Sequence, residues 1–544
     1  MKRHYLFILF ALLATIPAIS YGLAGTNVFP APLAIIFGLA MIGYTFILSW
    51  GKARSGAFML FFSCKIIQAI SSGFNRPNSG RMKRTVFLYL ASALVWAVFG
   101  FPALVYGKTN LLSIDQRKET GFRVLVLNFD QTPKYTIREL ENPTRIELLL
   151  LSTVTELGEE NVSLSTPIAK LSIFKGAENL SVSIALVGKV PYFCKSDSTR
   201  IQLFFPSSFQ EQESFLLDGE IPITIERRLN GEKFTELYWV RISPEQVSRR
   251  LKIVSASALG TKRLSVNEIA ERLSALVAVN GGFFDSSGNP VGLLIVDGKL
   301  LALPAKGKRA AFIIERNGNV LITRPTLSIW LEVDGKRIRA DGFNQPLAPG
   351  KVVVYNHLFP RQKLIKDALY FRLQDEKLLP ISLEEIQNLV EDAIFIGESL
   401  TPEADPFRGK DKITFNFALS DDSGRPLDVL YALEGAPLLV KDSVVSIDAS
   451  VDELSAQVTE GVRARTAIGI DAKGGVVILV VKEDKDTGVK GMSLQELAEK
   501  ILSLGAINAL NLDGGGSSVV SLKGIALNQE ISLHRKIPSA IVIL

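Results

Sequence analysis

The sequence predicts an α+β fold: a large mixed α/β domain outside the cytoplasm, a small β-rich domain before it, and three transmembrane helices at the start. Three observations carry that prediction. Long apolar stretches are confined to about the first 107 residues, short β-rich runs fill the next part, and helical and strand periods alternate from about residue 233. At 544 residues the chain has room for two or three domains and a sizeable core.

The apolar stretches lie near 5–23, 28–48 and 85–106. Each is long enough to cross a bilayer core of about 30 Å as a helix. Lys2 and Arg3 precede the first, and the loop between the first two is uncharged. The loop 51–84 carries Lys52, Arg54, Lys65, Arg76, Arg81, Lys83 and Arg84. The positive-inside rule makes that basic loop and the N-terminus cytoplasmic, with everything after about residue 107 outside. The expectation is a multi-pass protein of the cell membrane, with the lipid bilayer as a partner. A cleaved signal peptide over the first stretch, ending at ATIPAIS, is the competing reading. The segment AFMLFFSCKIIQAI (57–70) is too short to span and reads as interfacial or re-entrant.

The formal net charge is +6 and the isoelectric point about 9.0. Residues 1–84 hold nine Lys and Arg and no acidic residue, so the remaining 460 hold 52 basic and 55 acidic residues, a net of −3. The basicity belongs to the membrane topology and implies no nucleic-acid partner. Cys64 and Cys194 fall on opposite sides of that membrane, so no disulfide between them is expected.

Residues 108–232 read as β-rich. FRVLVLNF (122–129), RIELLLLS (145–152), LSVSIALVG (180–188) and RIQLFFP (200–206) are short strand-like runs split by turn residues. YTIRELENPTRIELLL (135–150) resembles the core pattern of AMIN-type domains, small β domains that bind cell-wall polymers. A generic β spacer accounts for it equally well.

Residues 233–544 read as one mixed α/β domain. Asp297-Gly298, Asn317-Gly318 and Asp334-Gly335 mark hairpins, and RTAIGIDAKGGVVILVV (465–481) reads as two strands about a glycine turn. One internal echo stands out. SVNEIAERLSAL (265–276) and SLQELAEKILSL (493–504) align without gaps, with five identities in twelve. Each opens on Ser-x-x-Glu, a capping box, and continues as an amphipathic helix. A short apolar strand follows each, ending in VNGGFFD (279–285) and NLDGGGSS (511–518). The repetition predicts two equivalent glycine loops converging on one site, unless it is a chance likeness of two amphipathic helices.

A strand that emerges into successive glycines exposes backbone N–H groups and lets a ligand come close. Gly514, Gly515 and Gly516 then form an anion-binding nest with Ser517 beside it, and Asn280, Gly281 and Gly282 form the facing wall. Arg465, followed by Thr466, opens a strand from which a guanidinium grips a phosphate. Asp513 and Asp285 supply carboxylates at the loop mouths. Against each stands a plain alternative: glycine loops are often only turns, and Asp often caps its own turn. Of the histidines, His4, His357 and His534, none lies in a Cys/His cluster, so a histidine-based zinc site is not expected. No cofactor is expected with certainty, while a carboxylate-held divalent cation stays open. No GxSxG elbow or GxxxxGK[ST] loop occurs.

VNGGFFDSSGNPVGLLIVDGKL (279–300), GAPLLVKD (435–442), RTAIGIDAKGGVVILVV (465–481), GMSLQELAEKILSLGAINALNLDGGGSSVV (491–520) and HRKIPSAI (534–541) together resemble the phosphodiester glycosidase family. The resemblance runs from about 235 to 544, motif after motif in the family's order. It departs at Glu434-Gly435-Ala436, where the family usually shows more glycine, and over 361–425, which reads as an insertion at the substrate rim. It implies a hydrolase that removes a sugar from a phosphodiester, here in cell-envelope or exopolysaccharide metabolism. Asp513, Asp285 and Arg465 would then act chemically, and the glycines, Asn280, Thr466 and Ser517 would hold a glycan or sugar-phosphodiester substrate. A non-catalytic glycan-binding or assembly protein using the same cleft is the alternative.

Overall fold

The computed structural model describes residues 108–544, apart from 142–143, 159–163, 389–393, 399–406, 408–409, 411, 449 and 529–534. These residues belong to one compact unit, Tyr106–Leu544.

The first part is a β-sandwich. One sheet runs in the order Thr153–Val154, Thr109–Glu119, Phe122–Phe129, Arg200–Pro206, Phe193–Ser196; the other runs Lys134–Glu141, Thr144–Leu151, Leu180–Leu186, Ile168–Lys175. Strand Leu180–Leu186 alternates fully and partly buried positions, as a strand with one covered face must. Leu125, Leu127, Leu148, Val182, Ile184 and Leu203 fill the space between the sheets.

The second part is built around an eight-stranded sheet in the order Ser208–Leu217, Ile221–Asn230, Lys233–Ile242, Val476–Val481, Arg465–Asp471, Ala506–Asn511, Leu438–Lys441, Val444–Val445. It crosses residue 233, so the hairpin 221–242 joins the two regions distinguished in the sequence. Strand Val476–Val481 is buried at every position because it is covered on both faces. One face meets two five-stranded sheets. The first contains Leu251–Ser255, Ser539–Ile543, Val277–Asn280 and Val520–Leu522; the second contains Leu294–Val296, Val429–Glu434 and Ala311–Glu315. Ile468, Leu510, Val279, Ile541, Phe312 and Leu433 form their shared core. The helix Leu494–Ser503 buries Leu497, Ala498 and Ile501 in a cluster with Ala467, Leu479 and Trp239 of the long sheet. Between strands Val320–Thr323 and Val429–Glu434 the described residues add further strands, among them the antiparallel pairs Thr326–Val333 with Ile413–Ser420 and Leu369–Gln374 with Ile394–Glu398.

Two expectations are corrected. The fold is mostly β, not α+β. Among the described residues the α-helices run from four to ten residues, and most other elements are strands in antiparallel ladders. The strands after the two capped helices form as expected; the helices themselves, Val266–Leu273 and Leu494–Ser503, are short and outweighed by antiparallel strands. The multi-pass membrane assignment is withdrawn: among the described residues no helix is long and apolar enough to cross a membrane. The three expected helices near 5–23, 28–48 and 85–106 lie outside the described residues.

Candidate functional site

The echoed units fold alike. Ser265 Oγ accepts from the Glu268 N–H at 3.2 Å while Glu268 Oε2 accepts from the Ser265 N–H at 2.7 Å. Ser493 and Glu496 repeat the box at 3.2 and 2.9 Å. Each helix leads into a strand that ends on an asparagine, Asn280 or Asn511.

After Asn511 the chain leaves the eight-stranded sheet. It enters a five-stranded sheet at Val520, pairing with Val279. Asp513 and the glycines span the seam between the sheets, directly against the first loop. The Asp513 N–H donates to Gly281 O at 3.3 Å, and Asn280 Nδ2 donates to Asp513 O at 2.8 Å. Asn280 Oδ1 accepts from the Thr466 hydroxyl at 2.8 Å and from the Val519 N–H at 3.4 Å. The Ser518 hydroxyl lies 3.1 Å from that of Thr466. Asn280, Thr466 and Ser518 are fully buried, so this polar hub fixes the two loops to each other.

At the mouth stands Asp513. Its Oδ1 accepts from the Gly514 N–H at 3.0 Å, while Oδ2 is buried and makes no hydrogen bond. Burial raises this carboxyl above its ordinary range; the Ser517 hydroxyl, the Gly514 N–H and the Arg535 charge oppose that rise.

The glycines have different reasons to be there. A Cβ on Gly281 would lie 2.5 Å from Ser539 Oγ, and one on Gly282 would lie 2.9 Å from Glu434 O, so both permit close strand packing. Gly515 adopts a φ of +60° and gives its N–H to Ala464 O at 2.8 Å. Gly516 is exposed, with open space beyond it.

The structure thus brings Asn280, Gly281, Thr466, Asp513, Gly514 and Ser517 together. Two expected side chains point elsewhere. Arg465 is buried and turned into the protein: Nε donates to Met492 O at 3.2 Å, Nη1 to Val458 O at 2.8 Å and Nη2 to Gly461 O at 3.1 Å. Burial, and then the Arg463 charge, pull it down to about 10. Asp285 sits on an exposed turn, where Oδ1 accepts from the Asn289 N–H at 2.8 Å and Oδ2 from its Nδ2 at 3.1 Å.

Two charged groups here had no part in the sequence-based site. Glu434 is buried behind Gly282; Oε2 accepts from the Leu293 N–H at 3.0 Å and Oε1 from the Ala305 N–H at 3.1 Å. Burial pushes its carboxyl up to about 6. Its signal was an acidic residue ending an apolar strand immediately before Gly-Ala-Pro. Arg535 is exposed, 4.5 Å above the Phe284 ring, and its Nη1 donates to Ser517 Oγ at 3.4 Å. Its signal was its place in the terminal HRKIPSAI motif. Among the described residues no group of three or more His, Cys, Asp and Glu side chains gathers as a metal site.

Residues 398–544 match the family model described as phosphodiester glycosidase. Over that stretch the chain is similar to the phosphodiester glycosidase domain. Glu434, Arg465, Asp513 and Arg535 lie inside the matched residues of that domain, and the first glycine loop lies before them. The N-acetylglucosamine-1-phosphodiester alpha-N-acetylglucosaminidase of Bos taurus is 48% identical over 63 residues, and that of Homo sapiens 46% over 63 residues. Each match covers 12% of this chain and 12% of the relative, so the chain spans only a small part of either protein in these matches. A hypothetical protein from Synechocystis shares the fold, with a TM-score of 0.53 and 17% identity over 80% of each chain.

Proposed function

We propose that this protein hydrolyses the bond between the anomeric carbon of a sugar and a phosphodiester oxygen, with N-acetylglucosamine 1-phosphodiesters as its substrate class. The observation that carries the reading is Asp513, half-buried at the seam of two interlocked glycine loops, with its Oδ2 shielded from solvent and making no hydrogen bond. The phosphodiester glycosidase match supports the reaction class, and the names of the mammalian relatives suggest the sugar.

As the C–O bond breaks, positive charge develops on the sugar ring. A carboxylate held away from bulk water stabilises that charge far better than one in solution. The bonding electrons leave with the phosphate oxygen, giving a phosphate monoester, which departs with little need of a proton. Water adds to the anomeric carbon and loses its proton, giving the free sugar.

The test is turnover by the purified full chain of the methyl phosphodiester of N-acetylglucosamine, read as release of free sugar. Wild type is expected to release sugar, and Asp513→Asn to do so at least about 10²-fold more slowly. Equal rates in the two folded proteins would overturn the role of Asp513. No release by folded wild type would overturn the reaction.

A further inference from the structure

We propose that Arg535 is the residue that grips the phosphodiester, an inference that rests on the function proposed above. Its guanidinium bridges the two glycine loops: it stacks 4.5 Å from the centroid of Phe284 in the first and donates through Nη1 to Ser517 Oγ in the second, at 3.4 Å. It is exposed and makes no ion pair among the described residues. Ser517, which it contacts, follows Asp513 by four residues in the same glycine loop, so the cation stands on the loop that carries the reacting group.

Most of the other donors expected to hold an anion are engaged. Arg465 spends Nε, Nη1 and Nη2 on the carbonyls of Met492, Val458 and Gly461. The N–H groups of Gly514, Gly515, Ser517 and Ser518 donate to Asp513 Oδ1, Ala464 O, Gly514 O and Gly515 O. Arg535 therefore adds a charged donor that the engaged groups cannot supply. A planar guanidinium stacked on a ring keeps its N–H edge for two parallel bonds to phosphate oxygens, and stacking reduces the freedom lost on binding. Phosphate on Arg535 and the sugar's anomeric carbon towards Asp513 put the scissile bond between the two side chains.

The test is calorimetric titration of the full chain with N-acetylglucosamine 1-phosphate and, separately, with N-acetylglucosamine. The monoester carries the phosphate but is not a diester, so binding is read apart from turnover. Wild type is expected to prefer the phosphate. Arg535→Ala should weaken phosphate binding by about 10- to 150-fold, the range of a charge-assisted hydrogen bond, and leave the neutral sugar unchanged. Arg535→Lys keeps the charge without the planar fork and should fall between. Arg228→Gln, which removes an exposed cation from strand Ile221–Asn230, should change neither. Phosphate affinity in folded Arg535→Ala within about threefold of a discriminating wild type overturns the assignment and leaves the reaction standing. A wild type that binds both ligands alike overturns the phosphate grip, and release of sugar in the turnover assay then decides the reaction separately.

Discussion

Asn280 Nδ2 donates to the backbone carbonyl of Asp513 at 2.8 Å, across the seam between two sheets. The donor ends one echoed strand, and the acceptor lies two residues beyond the end of the other. Through Oδ1 the same amide also holds Thr466 and Val519. One buried side chain thus sets where the Asp513 carboxylate stands.

That arrangement is sensitive to a single atom. Asn280→Asp keeps the size but turns the donor into an acceptor facing the Asp513 carbonyl. Leaving buried polar groups unpaired costs about 1–3 kcal/mol each, so a loss of about 2–4 kcal/mol in unfolding free energy is expected. Denaturant titration checks it, and a change under about 0.5 kcal/mol would show that the hub repacks freely.

Asp513→Asn should separate chemistry from stability. The amide oxygen can still accept from Gly514, so the turn survives. The raised carboxyl gives the folded protein more bound protons than the unfolded chain above the ordinary carboxylate range. Ionised Asp513 therefore costs stability as pH rises through that window. The variant should be at least as stable as wild type at neutral pH, with its advantage shrinking under acid. Unfolding measured at neutral and acid pH tests this, and a variant less stable at neutral pH contradicts it.

Glu434 makes the same argument with a value. Its carboxyl titrates near 6 in the fold against an ordinary 4.5. Its contribution is most favourable below 4.5 and is lost as pH rises through 6, a change of about 2 kcal/mol. Glu434→Gln should be less stable overall, because one oxygen cannot serve both the Leu293 and Ala305 N–H groups. It should also lack that pH slope. Unfolding free energies of both proteins across this window decide it; parallel slopes would mean that other groups carry the dependence.

Arg465→Lys should act on the fold. Lysine cannot span the carbonyls of Val458, Gly461 and Met492, so about 2–4 kcal/mol of stability should be lost. Unchanged stability with reduced phosphate affinity would instead return Arg465 to the substrate.

The local devices of this fold were legible in sequence. Both capping boxes formed as read, and Asp297-Gly298 and Asp334-Gly335 adopt the positive φ angles of tight hairpin turns. The meeting of the two glycine loops followed from the echo. Direction was not legible. Arg465 opens a strand buried at almost every position, so alternation could not tell which way its guanidinium turns. Arg535 and Ser517 meet by tertiary packing, with no local pattern linking them. The fold class was misjudged because two well-capped helices, of eight and ten residues, weigh more in the sequence than in a structure built of antiparallel ladders.

The glycine loops offer a last contrast, between glycines required by packing and a glycine that is not. A Cβ on Gly281 would sit 2.5 Å from Ser539 Oγ and 2.7 Å from the Ser539 carbonyl oxygen. The hydroxyl can rotate away, but the carbonyl belongs to strand Ser539–Ile543, which pairs with Val277–Asn280 on one side and Leu251–Ser255 on the other. Gly281→Ala must therefore push two paired strands apart, and overpacking of that kind costs about 1–3 kcal/mol. It should also disturb Asp513, whose N–H donates to Gly281 O at 3.3 Å, so turnover should fall with stability. Gly516 is exposed, has no positive φ and meets nothing within 4 Å of an added Cβ. Gly516→Ala should stay within about 0.5 kcal/mol of wild type. If it stays that stable yet loses phosphate affinity, the backbone at Gly516 lies against the ligand. If Gly281→Ala proves as harmless as Gly516→Ala in both assays, close strand packing is not what selects glycine in the first loop.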